Sequence, residues 1–320
     1  MQESTLPPKA NMRAVVTEPQ STRRFALREV SVPIPAPNQA LIKVKAFSLN
    51  QGETRTALDA TKSYTPGWDF AGIVERAAAD GSTPKEGTRV FGYIARGSWA
   101  EYLVAPGGLI AEIPESVTDA QAATIPIAGL TAMGCLDASG ALFDRRVLLT
   151  GASGGVGRFA CQLAALAGAK VFAVSRRSEL PQQLRQDGVE AAGIFTSIAE
   201  AKLAGTYDLV WDSVGGESLA IALTLLSRNG ICVNYGNSSR QPTTFEVRTA
   251  GWPFHGIQCI WLGREPIQNS TLILNHLAEL VVQGRLHTSV DTLLPWTSVA
   301  EAAERLVQQK VNGKIVLEVL

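Results

Sequence analysis

Residues 147–157, "VLLTGASGGVG", pass from an apolar run into a cluster of glycines, and a helix-like stretch, "RFACQLAALAGA", follows from Arg158. A buried strand that ends in such a turn lets backbone N–H groups close on a diphosphate. The dinucleotide fingerprint asks for small residues at three places: the tight turn, the approach of the diphosphate, and the contact of helix with strand. Ala152, Gly154 and Gly157 meet that spacing, with Ala152 in place of the first glycine, and Ser153, Gly155 and Val156 complete the loop. Glycine turns also arise for steric reasons alone. Flanked by a strand, a helix and a second strand, this one reads as a cofactor site.

The second strand refines the chemistry. An NAD site usually carries an Asp or Glu about 20 residues beyond the turn, where it binds the ribose 2′-hydroxyl. Here "VFAVSRRSE" puts Ser175, Arg176 and Arg177 at that place. Guanidinium groups suit a 2′-phosphate through charge-assisted hydrogen bonds, whereas a carboxylate would repel it. NADPH is the expected cofactor. Two arginines at a strand end can also be ordinary solvated surface, and Arg176, nearer the strand, is the favoured ligand.

These residues sit in the second of two stretches that differ in pattern. Up to about residue 120, short β-like runs broken by Pro and Gly ("ALIKVKAFSL", "GWDFAGIVERA", "TRVFGYI", "SWAEYLVAP") predict a partly closed antiparallel domain. Beyond it, "RVLLT", "AKVFAV", "YDLVWD" and "GICVNYG" alternate with helix-like segments at 158–169, 179–187 and 217–227. That is the pattern of a doubly wound parallel sheet, an α/β fold. Ser213 and Val214 end one of these strands in "WDSVGG", and Gly236, Asn237 and Ser238 end another in "YGNSS". Ligands bind at strand C-termini in such sheets. Further on, "NSTLILNHLAELVVQG" predicts an amphipathic helix with Leu272, Leu277, Leu280 and Val281 on one side, followed by the helix "SVAEAAERLVQQK" and a last strand, "GKIVLEVL". The expected domains are 1–120 completed by 266–320, and 121–265.

Composition excludes several classes of function. With 46% hydrophobic and 18% charged residues the chain has ample material for a packed interior. Its 29 basic residues balance its 29 acidic ones, so nothing marks a nucleic acid or an anionic membrane as partner. The uncharged stretch around 120–136 is interrupted by Pro126, Gly129 and Gly134 and reads as buried core, not a membrane span. The N-terminus, "MQESTLPPKANM", lacks the pattern of a secretion signal and reads as a frayed tail of a cytoplasmic protein. Cys135, Cys161, Cys232 and Cys259 lie far apart in apolar contexts and are expected as buried reduced thiols.

Taken in order, "SLNQGET", "PGWDFAGIV", "GSWAEYLVA", "ATIPIAGLTA", "VLLTGASGGVGRFACQLA", "WDSVGG", "VNYGNSS" and "GKIVLEV" resemble the zinc-independent quinone oxidoreductases, the ζ-crystallin-like group of the medium-chain dehydrogenase/reductase superfamily. The resemblance covers nearly the full length. It implies a GroES-like domain, an inserted Rossmann domain, a C-terminal return to the first domain, a nicotinamide in the cleft between them, and a homodimer. The positions that match metal ligands in zinc-dependent members are Asn50, Trp68 and Ile127. An indole and an aliphatic chain cannot ligate zinc, so a metal-free site is expected. His255, His276 and His287 have no ligand spacing and are read as ordinary surface or helix residues.

Hydride addition to a quinone or an α,β-unsaturated carbonyl puts negative charge on oxygen, which preorganised donors can stabilise. The resemblance makes Asn50 the first candidate donor, beside the nicotinamide, and puts Thr131 at the nicotinamide end, Gly236 to Ser238 along the diphosphate and ribose, and Lys314 of "GKIVLEV" among the cofactor residues. Thr131 could instead cap a helix turn. Tyr93 and Tyr64 are read as phenol donors, as aromatic walls, or as packing residues. Where the family commonly has an Asp, then Tyr or Lys and Arg after the cleft Asn, this chain offers Glu53 and Arg55. The expected activity is NADPH-dependent reduction of quinones, enones or alkenals. An enoyl-thioester reductase and a non-enzymatic NADPH-binding structural protein are the alternatives. The apolar run 255–262, "HGIQCIWL", is expected at a sheet edge covered by a second subunit.

Overall fold

A computed structural model describes residues 11–246, 256–259 and 269–320. Residues 1–10 of the expected N-terminal tail, His255 and residues 260–262 of the apolar run lie outside the described residues, whereas Asn11 and Met12, expected in that tail, open the first strand and pair with Ser31 and Val30. In chain order the elements are β1 (Asn11–Thr17), β2 (Phe25–Ser31), β3 (Gln39–Ser48), α1 (Gln51–Leu58), β4 (Asp69–Arg76), β5 (Arg89–Tyr93), β6 (Tyr102–Pro106) and β7 (Ile110–Glu112). Then come α2 (Asp119–Thr124), α3 (Pro126–Ser139), β8 (Arg146–Thr150), α4 (Gly155–Leu166), β9 (Lys170–Val174), α5 (Leu180–Gln186), β10 (Gly193–Phe195) and α6 (Ile198–Ala201). The rest are β11 (Tyr207–Asp212), α7 (Gly216–Thr224), β12 (Leu226–Asn234), β13 (Gly256–Cys259), α8 (Ser270–Val282), β14 (Val290–Pro295), α9 (Val299–Val307) and β15 (Lys314–Glu318).

The chain divides into two units, Met1–Ile127 with Pro266–Val282 and Thr288–Leu320, and Ala128–Glu265 with Gln283–His287. In the first, β3 is the organising strand: it pairs antiparallel with β4, β6 and β15. The sheet continues from β4 to β5 and β7, and β14 runs parallel to β15. Its core is aromatic, with Trp99 stacked on Phe47 at 5.8 Å and edge-on to Phe25 at 5.6 Å. Two registers prepare the site. Ala46 pairs with Ala71 and Val316 with Ser48, so their continuation sets Ser48 opposite Asp69, and Asn50 opposite Lys314.

In the second unit all strands are parallel in the order β10-β9-β8-β11-β12-β13, with the order reversing between β8 and β11. This is the doubly wound arrangement in which loops after the strands at the reversal form the ligand site. The Arg158 guanidinium on α4 meets the Asp187 carboxylate just after α5 at 2.5 Å, both nearly buried, and fixes these two helices against each other.

Several expectations are corrected. Helix α4 starts at Gly155, three residues before the apolar periodicity begins, because the glycines supply its first turn. The helix expected at 217–227 ends at Thr224, and Leu226 already belongs to β12. On α8 the buried face is Leu274, Leu277, Ala278 and Leu280, whereas Leu272 is 68% exposed. Leu274, Leu277 and Ala278 follow the i, i+3, i+4 spacing of one helix face, which Leu272 leaves. Cys135, Cys161 and Cys232 are buried, but Cys259 is exposed on β13, the last strand of its sheet among the described residues. The stretch around 120–136 forms α2 and most of α3, and among the described residues no helix is long and apolar enough to cross a membrane.

Gly67 sets the entry into β4 at φ +109°, where a Cβ would lie 2.3 Å from both Ser98 Oγ and Trp99 Cδ1. A Gly67→Ala change should combine backbone strain with overpacking and cost about 2 to 4 kcal/mol. Chemical denaturation of the two proteins measures it.

Candidate functional site

In the first unit three strand ends and one helix start converge. Helix α1 begins after Asn50, and Glu53 in its first turn reaches back so that its Oε1 accepts from the Asn50 backbone N–H at 2.9 Å. This N-cap to N3 contact is local and fixes both side chains. The Asn50 amide then donates from Nδ2 to Asp69 Oδ2 at 2.8 Å and to Glu53 Oε1 at 3.1 Å, while its Oδ1 accepts from the Lys314 ammonium at 2.5 Å. An ammonium only donates and a carboxylate only accepts, so these neighbours dictate the amide orientation. Asp69 Oδ2 also accepts from Ser48 Oγ at 2.6 Å and from Lys314 Nζ at 3.0 Å, and its Oδ1 accepts from the Ile127 backbone N–H at 2.9 Å. Lys314 and Asp69 are 3% and 0% exposed.

The cluster thus holds two carboxyl groups and one ammonium away from water. Asp69 takes the ammonium and three further donors. Among the described residues Glu53 has the two bonds from Asn50, both to Oε1, and its buried Oε2 has no partner there. Burial raises the Glu53 carboxyl to about 8, with the Asp69 carboxylate adding to the rise and the Lys314 charge and the two Asn50 bonds opposing it.

Glu53 lies on the wall of a cavity of about 640 Å³ within this unit, with Arg55, Lys62, Tyr64, Trp68 and Arg96 among the other residues lining it. The Arg96 guanidinium stands 5.6 Å over the Tyr64 ring. Burial raises the Tyr64 phenol, Arg96 opposes that rise, and Glu53 adds to it. Tyr64 thus forms part of the cavity wall with its phenol protonated. Tyr93, at the end of β5, does not line this cavity: its hydroxyl meets Ser270 Oγ on α8 at 3.0 Å, which favours the packing reading.

Asn50, expected to donate to a substrate oxygen, here gives both amide protons to Asp69 and Glu53. Its amide links Glu53 to Lys314. Lys314, expected among the cofactor residues, gives its ammonium to Asn50 and Asp69. Of the three positions compared with metal ligands, Trp68 and Ile127 present no ligating side chain, and the Asn50 oxygen is engaged by Lys314. Among the described residues no group of three or more His, Cys, Asp or Glu could hold a metal ion. His276 and His287 are exposed.

The second unit gathers the other residues at the C-terminal ends of its strands. Gly151, at φ +64°, turns the chain out of β8, and a Cβ on Gly157 would lie 2.3 Å from the Gly151 carbonyl, so the first turn of α4 can close on the loop only without a side chain there. Gly154 is the N-cap and offers no side-chain cap, which leaves the first-turn N–H groups of α4 to a ligand or water. Ser153 Oγ and Ser175 Oγ are 2.9 Å apart and tie this loop to the end of β9, and Ser175 Oγ also accepts from the Arg177 backbone N–H. Ala152 is fully buried, while Arg176 is exposed and Arg177 half-buried. Ser213 is drawn to β8, its N–H donating to Thr150 Oγ1 at 3.1 Å and its hydroxyl to the Thr150 carbonyl at 3.0 Å. Val214 follows it, and Gly236, Asn237 and Ser238 follow β12, with Ser238 N–H donating to the Ser213 carbonyl at 3.0 Å. Thr131 is buried within α3. A glycine-lined helix start whose N-cap offers no side chain fits a dinucleotide diphosphate.

Sequence reasoning passed over Asp69 and treated Glu53 only as a departure. Both left a signal: an Asp inside the apolar "GWDFAGIV", and the Asn-x-x-Glu spacing of a helix start.

A GroES-like sheet unit with an inserted doubly wound unit defines the medium-chain dehydrogenase/reductase class. Residues 36–115 match the alcohol dehydrogenase GroES-like domain family and residues 184–317 the zinc-binding dehydrogenase family. The pig (Sus scrofa) quinone oxidoreductase is 31% identical over 310 residues, covering 90% of this chain and 92% of that one. A chloroplastic quinone oxidoreductase of Triphysaria versicolor is 30% identical, covering 96% and 98%. Among solved structures, a quinone oxidoreductase from Coxiella burnetii superimposes with a TM-score of 0.83 at 25% identity, over 97% of this chain and all of that one. A mycobacterial protein complexed with NADPH shares the fold with a TM-score of 0.86 at 21% identity, over 96% and 100%. The chain belongs to the quinone oxidoreductase family.

The raised Glu53 carboxyl has a consequence for stability. Folding binds a proton between the ordinary carboxyl value of 4.5 and the folded value of about 8. The stability this proton contributes is complete below the lower value and is lost as pH rises through the upper one. Relative to Glu53→Gln, the wild-type chain should therefore weaken between these limits, by up to about 1.4 kcal/mol per pH unit. Urea unfolding midpoints of both proteins across that window check it.

Proposed function

We propose that the protein is an NADPH-dependent reductase of quinones or α,β-unsaturated carbonyls that works without a metal. The observation that carries this reading is the start of α4, uncapped and glycine-lined, beside a strand end that presents Ser175, Arg176 and Arg177. The bound dinucleotide would supply a hydride. The chain's part is to hold it, with the N–H groups of residues 155–157 on the diphosphate, Ser213, Val214 and Gly236 to Ser238 along its length, Thr131 toward the nicotinamide, and Arg176 or Arg177 on the 2′-phosphate. The cavity beside Glu53 and Tyr64 would take the acceptor. Lack of ligating side chains at Trp68 and Ile127 supports the metal-free reading, since zinc requires thiolate, imidazole or carboxylate donors. The relatives named quinone oxidoreductases support the acceptor class.

A basic lining favours a second reading. Arg55, Lys62 and Arg96 all line the cavity, which suits the phosphates of a long thioester arm, so an enoyl-thioester is the alternative substrate. NADPH oxidation measured in parallel with 1,4-benzoquinone, a simple enone and crotonyl-CoA separates the two. Turnover of the first two supports the quinone and enone reading, preference for the thioester supports the alternative, and no turnover of any refutes a reductase.

Arg176→Ala should weaken NADPH roughly ten- to a hundredfold and leave NADH unchanged, as expected for one lost charge-assisted contact of about 1.5 to 3 kcal/mol. Equal binding of both cofactors by the wild type would contradict the assignment. Elemental analysis should find no stoichiometric zinc. In the second unit the edge strand β13 leaves Ile257 and Cys259 exposed, and a second copy pairing there would cover it. Light scattering should give a dimer rather than a 34.1 kDa monomer.

A further inference from the structure

We infer that Glu53 is the proton donor of the reduction, delivering its proton from Oε2 to the acceptor held in the cavity it lines. This rests on the reductase reading above and adds the acid that completes it.

The placement of the proton follows from the hydrogen bonds. Oε1 accepts twice, from the backbone N–H and the side-chain amide of Asn50, and so is the carbonyl oxygen of a neutral carboxyl group. The proton is left on Oε2, which is buried and has no acceptor among the described residues. Such an orphaned polar atom costs stability unless a ligand uses it. Glu53 is 3% exposed, yet it forms part of the wall of a cavity of about 640 Å³. Glu53 borders that cavity while Oε2 itself is closed to solvent, so the carboxyl group must turn to bring its proton to an acceptor held there.

The groups that set its charge come from every side. Asp69 at the start of β4 disfavours the carboxylate, Lys314 at the start of β15 and Asn50 before α1 favour it, and Tyr64, capped by Arg96, faces it from the loop before β4. The resulting value of about 8 keeps the proton on Glu53 near neutral pH while leaving it transferable. Once the proton has gone, the two Asn50 bonds and the Lys314 ammonium stabilise the carboxylate left behind. Asn50 is a positioning residue in this account.

The step balances for an enone. With a reduced nicotinamide bound to supply a hydride and its electron pair at the β-carbon, the C=C pair would move to give the enolate. The Glu53 O–H bond breaks, its electrons stay on Glu53, and the enolate pair forms a C–H bond at the α-carbon with the released proton. The products are the saturated ketone, oxidised nicotinamide and a Glu53 carboxylate, which regains a proton from water. A quinone needs this acid less, because the hydroquinone anion is stable enough to wait for water.

The test uses full-length protein with NADPH, a prochiral α-methyl enone and 1,4-benzoquinone. Wild type should form one enantiomer of the α-methyl ketone, with kcat falling as pH passes about 8. Glu53→Gln should lower enone kcat about a hundredfold, lose both the pH dependence and the enantiomeric excess, and leave NADPH affinity unchanged. Glu53→Asp should restore part of the rate and the enantiomeric excess. Unchanged enone kcat and product configuration in Glu53→Gln would overturn the assignment. Should that variant not fold, racemic product from the wild type overturns it and a single enantiomer with the pH limb sustains it. A wild type inert toward both substrates would sink the reductase reading itself, a result distinct from an active enzyme indifferent to Glu53.

Discussion

A single buried ammonium serves two carboxyl groups in the sheet unit, and the site follows from that shortage. Lys314 meets Asp69 at 3.0 Å, and Asp69 is further supplied by Ser48, Asn50 and the Ile127 backbone. A buried ion pair is tolerated when its remaining lone pairs are hydrogen-bonded, and breaking one partner typically costs about 3 to 5 kcal/mol. With one cation for two acids, the second carboxyl stays neutral. Glu53 is that second acid, since it has fewer donors than Asp69 and no contact that offsets its burial fully. The sheet registers make the arrangement obligatory: Ser48 continues β3 opposite Asp69, and β15 brings Lys314 opposite Asn50.

The cofactor unit obeys a different constraint, steric rather than electrostatic. The first turn of α4 must approach the loop after β8 so closely that Gly157 has no room for a Cβ, and Gly154 leaves the helix start without a side-chain cap. The same absence of side chains exposes the N–H groups that a diphosphate needs. One unit thus offers fixed backbone donors at a strand reversal. The other offers a walled cavity with an acid of adjusted charge.

Much of this was legible in the sequence where the pattern is local. The glycine turn, the strand after it and the paired arginines are contiguous, and β8, α4 and β9 fall close to where periodicity puts them. The site in the sheet unit was only half legible. Asn50 was singled out, but as a free donor, because sequence does not reveal that Asp69, nineteen residues on, and Lys314, 264 residues on, compete for its amide. Leu272 misled for a related reason: apolar character alone does not say which helix face meets the core. Cys259 looked buried because its neighbours are apolar, whereas its strand is the last of the sheet among the described residues.

The central claim is the protonation state of one residue, and infrared difference spectroscopy reads it directly. At neutral pH a protonated carboxyl C=O band should be present in the wild-type protein, disappear on titration through about 8, and be missing from Glu53→Gln. A spectrum in which the substitution removes only carboxylate absorption would mean that Glu53 is ionised in the fold. That result would contradict the shared-ammonium account and remove the basis for Glu53 as the acid.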